Sequence, residues 1–326
     1  MPQPSIHYAC GRVGVLRRTT LGSAQMERLQ SAQTYNDALR TLADIGFAAA
    51  DSTDFQAAAD AHVRKACELI RAVTPNPDVT DCFLLRYDVH NLKVLLKSRQ
   101  LAQKPAFLSA CGTIKVEKLR HAVSEHSYSA LPPLLKQGLD ALEKRIAIRF
   151  DPMLVDTELD KAMYRQVFAN LAGHQDGALT RRYFQAKVDM QNLIMLLRLR
   201  AMGKEQAFFQ GIALEGGKIP LRMLAKTFEE NERLARHLLS YSTAVYQAAI
   251  TASINALKLP SLEKAADDYL FSLFKGYRYA TDSLEVLIAY LLQRQREATD
   301  VRLILTGKLN GFTEDAVIER MRELNG

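Results

Sequence analysis

The sequence predicts an all-α protein built from one helical unit used three times. Three observations carry that expectation. Apolar residues recur at helical spacing from one end of the chain to the other, strand-like alternation is nowhere sustained, and one helical signature returns about every hundred residues.

Taken in chain order, apolar periodicity predicts helices over residues 32–42, 57–72, 134–148, 221–239 and 315–324. Helices are expected to stop at Pro75 and Pro77, Pro105, Pro132 with Pro133, Pro152, Gly216 with Gly217 and Pro220, and Pro260. No serine- or glycine-rich linker separates these segments, so the breaks read as interhelix turns within one body. Residues 238–257 carry no charge and are long enough to cross a bilayer. Ser240, Ser242, Thr243, Gln247, Thr251, Ser253 and Asn255 recur through that run, and their polar groups would be costly in hydrocarbon. The run is therefore expected to form a helix buried between other helices.

The signature appears first as Asp88-Val-His-Asn91-Leu92-Lys-Val-Leu95-Leu96-Lys97-Ser-Arg99. It aligns without a gap to Asp189-Met-Gln-Asn192-Leu193-Ile-Met-Leu196-Leu197-Arg198-Leu-Arg200. A third, degenerate copy runs Glu297-Ala-Thr-Asp300-Val301-Arg-Leu-Ile304-Leu305-Thr-Gly-Lys308. An acidic helix position precedes each copy at nearly constant distance: Asp60, Asp160 and Asp268. The repeat divides the chain into residues 1–120, 121–224 and 225–326.

On a helix, Asp88, Asn91, Leu92, Leu95, Leu96 and Arg99 share one stripe. The acidic end suits a helix N-terminus and the basic end a C-terminus. An asparagine inside such a stripe fixes register between packed helices at some cost in stability. The expected signature residues are thus Asp88, Asn91 and Arg99, Asp189, Asn192 and Arg200, and Glu297, Asp300 and Lys308, all with a structural role.

The 326 residues, 48% hydrophobic and 24% charged, suffice for a core without covalent staples. Cys10, Cys67, Cys82 and Cys111 form no Cys-x-x-Cys pair and have no histidines at zinc spacing, which reads as reduced thiols in a cytoplasmic protein. The first residues show no basic region followed by an apolar run of signal-peptide length. A formal net charge of +7 favours acidic partners, but the basic residues come as scattered pairs such as Arg17 with Arg18 and Arg181 with Arg182.

With those residues in hand, the chain resembles the C-subunit family of archaeal and bacterial V/A-type rotary ATPases, relatives of the eukaryotic V-ATPase d subunit. Tyr8-Ala-Cys-Gly-Arg12-Val13 looks like the family's opening helix, and Tyr87-Asp88-Val-His-Asn91-Leu92-Lys93 like its core marker. Asp156-Thr-Glu-Leu-Asp160-Lys161 with Val188-Asp189-Met-Gln-Asn192-Leu193 is similar to the second marker and the helix before it, and Ala289-Tyr290 through Glu297 to Lys308 to the terminal segment. Departures are Asp300 where the other copies have asparagine, Lys308 for arginine, and Gln293 and Gln295 in a region often richer in charge.

The resemblance implies three similar helical units with approximate threefold symmetry, shaped like a funnel or socket. It implies a non-catalytic central-stalk connector, without cofactor or small-molecule substrate, peripheral on the cytoplasmic face of the membrane. The implied partners are the D- and F-type subunits of the rotor shaft and the membrane proteolipid ring, with the membrane stator as a further neighbour. The complex would be an ATP-driven transporter of protons or sodium ions.

Chemical motifs are weak beside this. In Gly211-Ile-Ala-Leu-Glu-Gly216-Gly217-Lys218-Ile219 the lysine falls one residue late for a phosphate loop and no hydroxyl residue follows, which leaves a helix-connecting turn. His121 and His126 miss the spacing of a zinc pair, and His90 reads as a packed or surface side chain. Adjacent acids such as Asp267 with Asp268 and Glu229 with Glu230 do not converge on a helix. The competing reading is a basic helical nucleic-acid-binding protein, motivated by a pI near 9.2 and by Arg294 and Arg296. A peptide-binding helical scaffold would repeat every few tens of residues instead.

Overall fold

The computed structural model describes residues 4–48, 54–322 and 324, and among them every regular element is a helix. The chain opens with α1 (Ile6–Arg17), where the Ser5 hydroxyl accepts the Tyr8 N–H, and continues through α2 (Ser23–Gln30), α3 (Tyr35–Asp44) and α4 (Phe55–Val73). Thr34 and Asp54 cap α3 and α4 by accepting the Asp37 and Ala57 N–H groups. The proline pair ends α4 and opens the short α5 (Pro77–Thr80), and a 3-10 turn leads into α6 (Leu85–Gln100). An irregular connector reaches α7 (Val116–Ser124).

Next come α8 (Pro133–Ile148) and α9 (Pro152–Asn170), each opened by its proline, whose missing N–H costs nothing in a first turn. A second 3-10 turn leads into α10 (Ala178–Ala201), followed by α11 (Gln206–Ile212), α12 (Leu221–Lys226) and α13 (Asn231–Arg236). The chain closes with α14 (Thr243–Ile254), α15 (Leu259–Lys275), α16 (Leu284–Leu309) and α17 (Glu314–Ile318).

Three expected helices differ in detail. The helix expected over 221–239 breaks into α12 and α13 at Thr227, where the Phe228 N–H turns to the Ala225 carbonyl at 3.1 Å and the Thr227 hydroxyl donates to the Leu224 carbonyl at 3.3 Å, with Phe228 buried. Of the one expected over 315–324, in which Glu323 lies outside the described residues, α17 ends at Ile318, and the chain beyond sends the Arg322 N–H to Asp300. The uncharged run 238–257 is no continuous helix either. The chain turns before α14, which buries Val245, Ala249 and Ala252 on one side and leaves Ile254 74% exposed. No helix among the described residues is long and apolar enough to cross a membrane.

The residues group into two compact units, Met1–Asn76 with Tyr241–Gly326 and Pro77–Ser240. These do not follow the repeat boundaries. In the second unit α8 and α9 form a close hairpin, where a Cβ on Gly138 would lie 2.5 Å from that of Ala162. There α6 lies along α9, with Lys93 bonded to Asp160 at 2.7 Å and Lys97 to Asp156 at 2.6 Å. In the first unit α16 packs on α4, with Arg302 bonded to Asp60 at 2.5 Å. Lys93 and Arg302 hold the same place in their signatures, and Asp160 and Asp60 nearly the same place before theirs. The α6–α9 and α16–α4 packings thus each join elements from different expected repeats.

Candidate functional site

The signature residues Asp88, Asn91, Asp189, Asn192, Glu297 and Asp300 are all fully buried. A buried carboxylate is tolerated only when hydrogen-bond donors converge on it. Asp88 supplies the first case. It accepts the N–H of Thr113 at 2.8 Å, the Thr113 hydroxyl at 2.7 Å and the N–H of Ile114 at 3.0 Å. Asp189 accepts the N–H groups of Lys218 at 2.8 Å and Ile219 at 3.1 Å. Both carboxylates therefore tie down the chain just before a short helix, α7 and α12 respectively. Because a Cβ on Gly112 would overlap the Asp88 carboxylate, and one on Gly217 that of Asp189, only glycine lets the backbone come this close.

The asparagines complete the clasp. Asn91 donates through Nδ2 to the Ser109 carbonyl and accepts the Ser109 N–H through Oδ1, both at 2.8 Å. Asn192 does the same with Leu214, again at 2.8 Å for both bonds. The partner is a connector backbone in each copy rather than a second helix, so these residues position the connectors. Counted back from α7 and α12, the clasped residues fall at the same register in the two copies. The expected dipole match holds for Asp88, in the first turn of α6, whereas α10 and α16 extend for turns ahead of Asp189 and Glu297.

The basic ends also grip neighbours. Arg99 donates to the Val123 carbonyl in the last turn of α7 at 2.7 Å and, through both bonds of Nη2, to Glu143 at 2.7 and 2.8 Å. Tyr128 donates to the same carboxylate, and burial with Glu143 alongside pushes its hydroxyl pKa well up. Arg200 donates to Asn231 at 2.7 Å, and Lys308 to the carbonyls of Gln30 at the end of α2 and of Ala32.

The third copy is built differently. Glu297 accepts the Leu21 N–H at 3.1 Å and bonds Gln293 at 3.0 Å, Arg294 at 3.0 Å and His62 at 2.8 Å. His62 stacks on Phe47 with centroids 4.2 Å apart, and burial lowers its pKa against the pull of Glu297. Arg294 further donates to the Thr19 carbonyl at 2.9 Å, and Arg296 bonds Asp268. Both arginines, the ones that motivated a nucleic-acid reading, are over nine-tenths buried. The repeat pattern does not foretell this network. Its one sequence signal is Gln293-Arg294 a turn before Glu297, polar residues where helical spacing asks for apolar ones.

Chemically the arrangement holds backbone and orients helices. The carboxylates face N–H donors and cations, and no cluster of three or more His, Cys, Asp or Glu able to hold a metal ion occurs among the described residues. The four cysteines are buried and joined by no disulfide, and burial pushes the Cys82 thiol up to about 12. Of the glycine stretch 211–219, Gly211 and Ile212 end α11 and residues 213–219 belong to the turn that leads to α12, with Gly216 at φ +100° against Phe168. A cavity of about 420 Å³ opens in the first unit among Tyr35, Ile304, Phe312, Val317 and Ile318, with Lys308 on its wall.

The chain is similar to known proteins over most of its length. The family model described as ATP synthase (C/AC39) subunit matches residues 9–320. The C subunit of the V-type sodium ATPase of Enterococcus hirae is 25% identical over 277 residues, covering 83% of this chain and 83% of that protein. The C subunits of the A-type ATP synthases of Methanosarcina barkeri and Methanosarcina acetivorans are 23% and 25% identical, each covering 73% of this chain and 68% of the relative.

Proposed function

Because the chain belongs to the ATP synthase (C/AC39) subunit family, we propose that it is the central-stalk connector of a rotary V/A-type ATPase, joining the rotor shaft to the membrane proteolipid ring. The single observation that carries this reading is the span of the family match, which takes in all three signature copies. Its relatives are named as C subunits of V-type and A-type complexes, which supports a role as a component of such an ATPase, and on this reading the chain transmits torque without chemistry of its own. Its partners on this reading are the D- and F-type shaft subunits and the ring, with the chain peripheral on the cytoplasmic face.

The threefold socket belongs to the same reading. The matched clasps of α6 and α10, and the matched ion pairs of α6 on α9 and α16 on α4, support three equivalent units. A torque-bearing part must resist shear between its helices. Buried, charge-assisted bonds from helix to connector do that better than apolar contact alone, because they are directional and costly to break.

The test is coupling. Membrane vesicles from cells lacking the chain are expected to keep ATP hydrolysis by the catalytic head while losing ATP-driven ion uptake, and the returned chain is expected to restore it. Uptake that persists without the chain would overturn the proposal.

A further inference from the structure

At the clasp position the third signature copy differs from the other two by one group, a carboxylate oxygen in place of the carboxamide nitrogen. Asn91 and Asn192 each spend both halves of the carboxamide on one backbone residue, accepting its N–H and donating to its carbonyl. Asp300 stands at the same place in α16 and is just as buried. Its Oδ1 accepts the Arg322 N–H at 3.1 Å, which repeats the first half of the clasp. Among the described residues its Oδ2, shut off from solvent, has no hydrogen-bond partner. An ionised carboxylate can only accept, so the second half of the clasp is missing, whereas a carboxylic acid carries one O–H donor in place of the carboxamide N–H.

We propose that Asp300 is a proton-operated form of the clasp: neutral, it holds the terminal segment at Arg322 as the asparagines hold their connectors, and ionised, it releases that backbone. The charged groups acting on it are Arg296 of its own helix, Arg322 of the terminal segment and Asp268 of α15. Arg296 is bonded to Asp268, and Arg322 to Asp267 at 3.0 Å, so both cations have carboxylate partners besides Asp300. From the other helices on α16, the α4 groups His62 and Asp60 bond Glu297 and Arg302, Asp37 of α3 lies 3.8 Å from Arg40, Arg17 of α1 lies over Tyr279, and Glu314 and Asp315 of α17 are exposed.

Burial, helped by Asp268, outweighs the Arg322 N–H and the two arginines and pushes the Asp300 carboxyl from 3.8 up to about 7. The sign follows. A folded pKa above the unfolded value means that the closed clasp binds the proton more tightly. Its stabilisation is therefore full below 3.8 and is lost as pH rises through about 7. The released backbone follows directly on α17, whose Val317 and Ile318 line the cavity described above, and Met321 of the same segment contacts Gln30 on its other side. Opening the clasp thus loosens one wall of that cavity near neutral pH.

Hydrogen exchange on the full chain, corrected for intrinsic exchange, tests this on the amides of residues 319–322. Between about pH 5.5 and about pH 8.5 their protection is expected to fall on the order of tenfold, and in Asp300→Asn to stay level. Equal protection at both pH values in the unmodified chain, or an undiminished fall in the variant, would overturn the proposal. The variant keeps His62, so the difference between the two chains isolates Asp300. Should the variant fold poorly, the carbon-13 shift of the Asp300 carboxyl decides alone. A midpoint near 7 supports the clasp and one near 3.8 contradicts it.

Discussion

Replacing Asp189 by leucine will lower the stability of the unit around it by about 3–5 kcal/mol, measured as a shift of the urea unfolding midpoint. The side chain is fully buried and accepts the backbone N–H groups of Lys218 and Ile219. Leucine fills similar space but offers no acceptor, so both N–H groups lose their partner inside the protein. It also branches beside Gly217, where even a Cβ has no room against the native carboxylate. Assembly with an ATPase should weaken in step with stability. Unchanged unfolding with lost assembly would instead make Asp189 a direct contact.

The second large effect is expected at Gly112. Alanine there will cost about 2–4 kcal/mol, because the added methyl must share space with a carboxylate held by Thr113 and Ile114 and cannot displace it without breaking those bonds. A double-mutant cycle separates this from any general effect on the connector. In an Asp88→Ala background the same Gly112→Ala change should cost well under half as much, since the overlapping group is gone. Equal costs in both backgrounds would mean that the overlap with Asp88 is not what excludes a side chain.

The stripe of Asp88, Asn91, Leu92, Leu95 and Leu96 was legible because helical spacing alone puts those residues on one face, and the structure buries all five. The breaks at Pro133, Pro152 and Pro260 were legible for an equally local reason, since proline cannot continue a helix, but they read as stops, whereas each proline stands in the first turn of the helix that follows, where its missing N–H costs nothing. What the stripe faces was not legible. The partners of Asn91 and Asn192 are backbone groups of Ser109 and Leu214, and a backbone atom leaves no mark in a sequence. The glycines did leave one, since Gly112 and Gly217 stand at the same distance before α7 and α12, but a glycine in a connector reads first as a turn. The third copy was hardest. Glu297 occupies the place of Asp88 and Asp189 yet reaches α4 and the chain after α1, a meeting of the two ends that no local pattern encodes.

The break of α12 from α13 shows the same limit from the other side. Periodicity over 221–239 is helical, and two short helices realise it with a turn at Thr227, whose hydroxyl takes the Leu224 carbonyl while the Phe228 N–H turns to Ala225. Propensity set the type of structure there, and tertiary burial of Phe228 set where it ends.

The most direct test of the central claim is recovery of the chain with its neighbours. An affinity-tagged copy, expressed in its own cells and purified from detergent-solubilised membranes, should bring down the D- and F-type shaft subunits and the proteolipid ring. Recovery without any ATPase component would contradict the account.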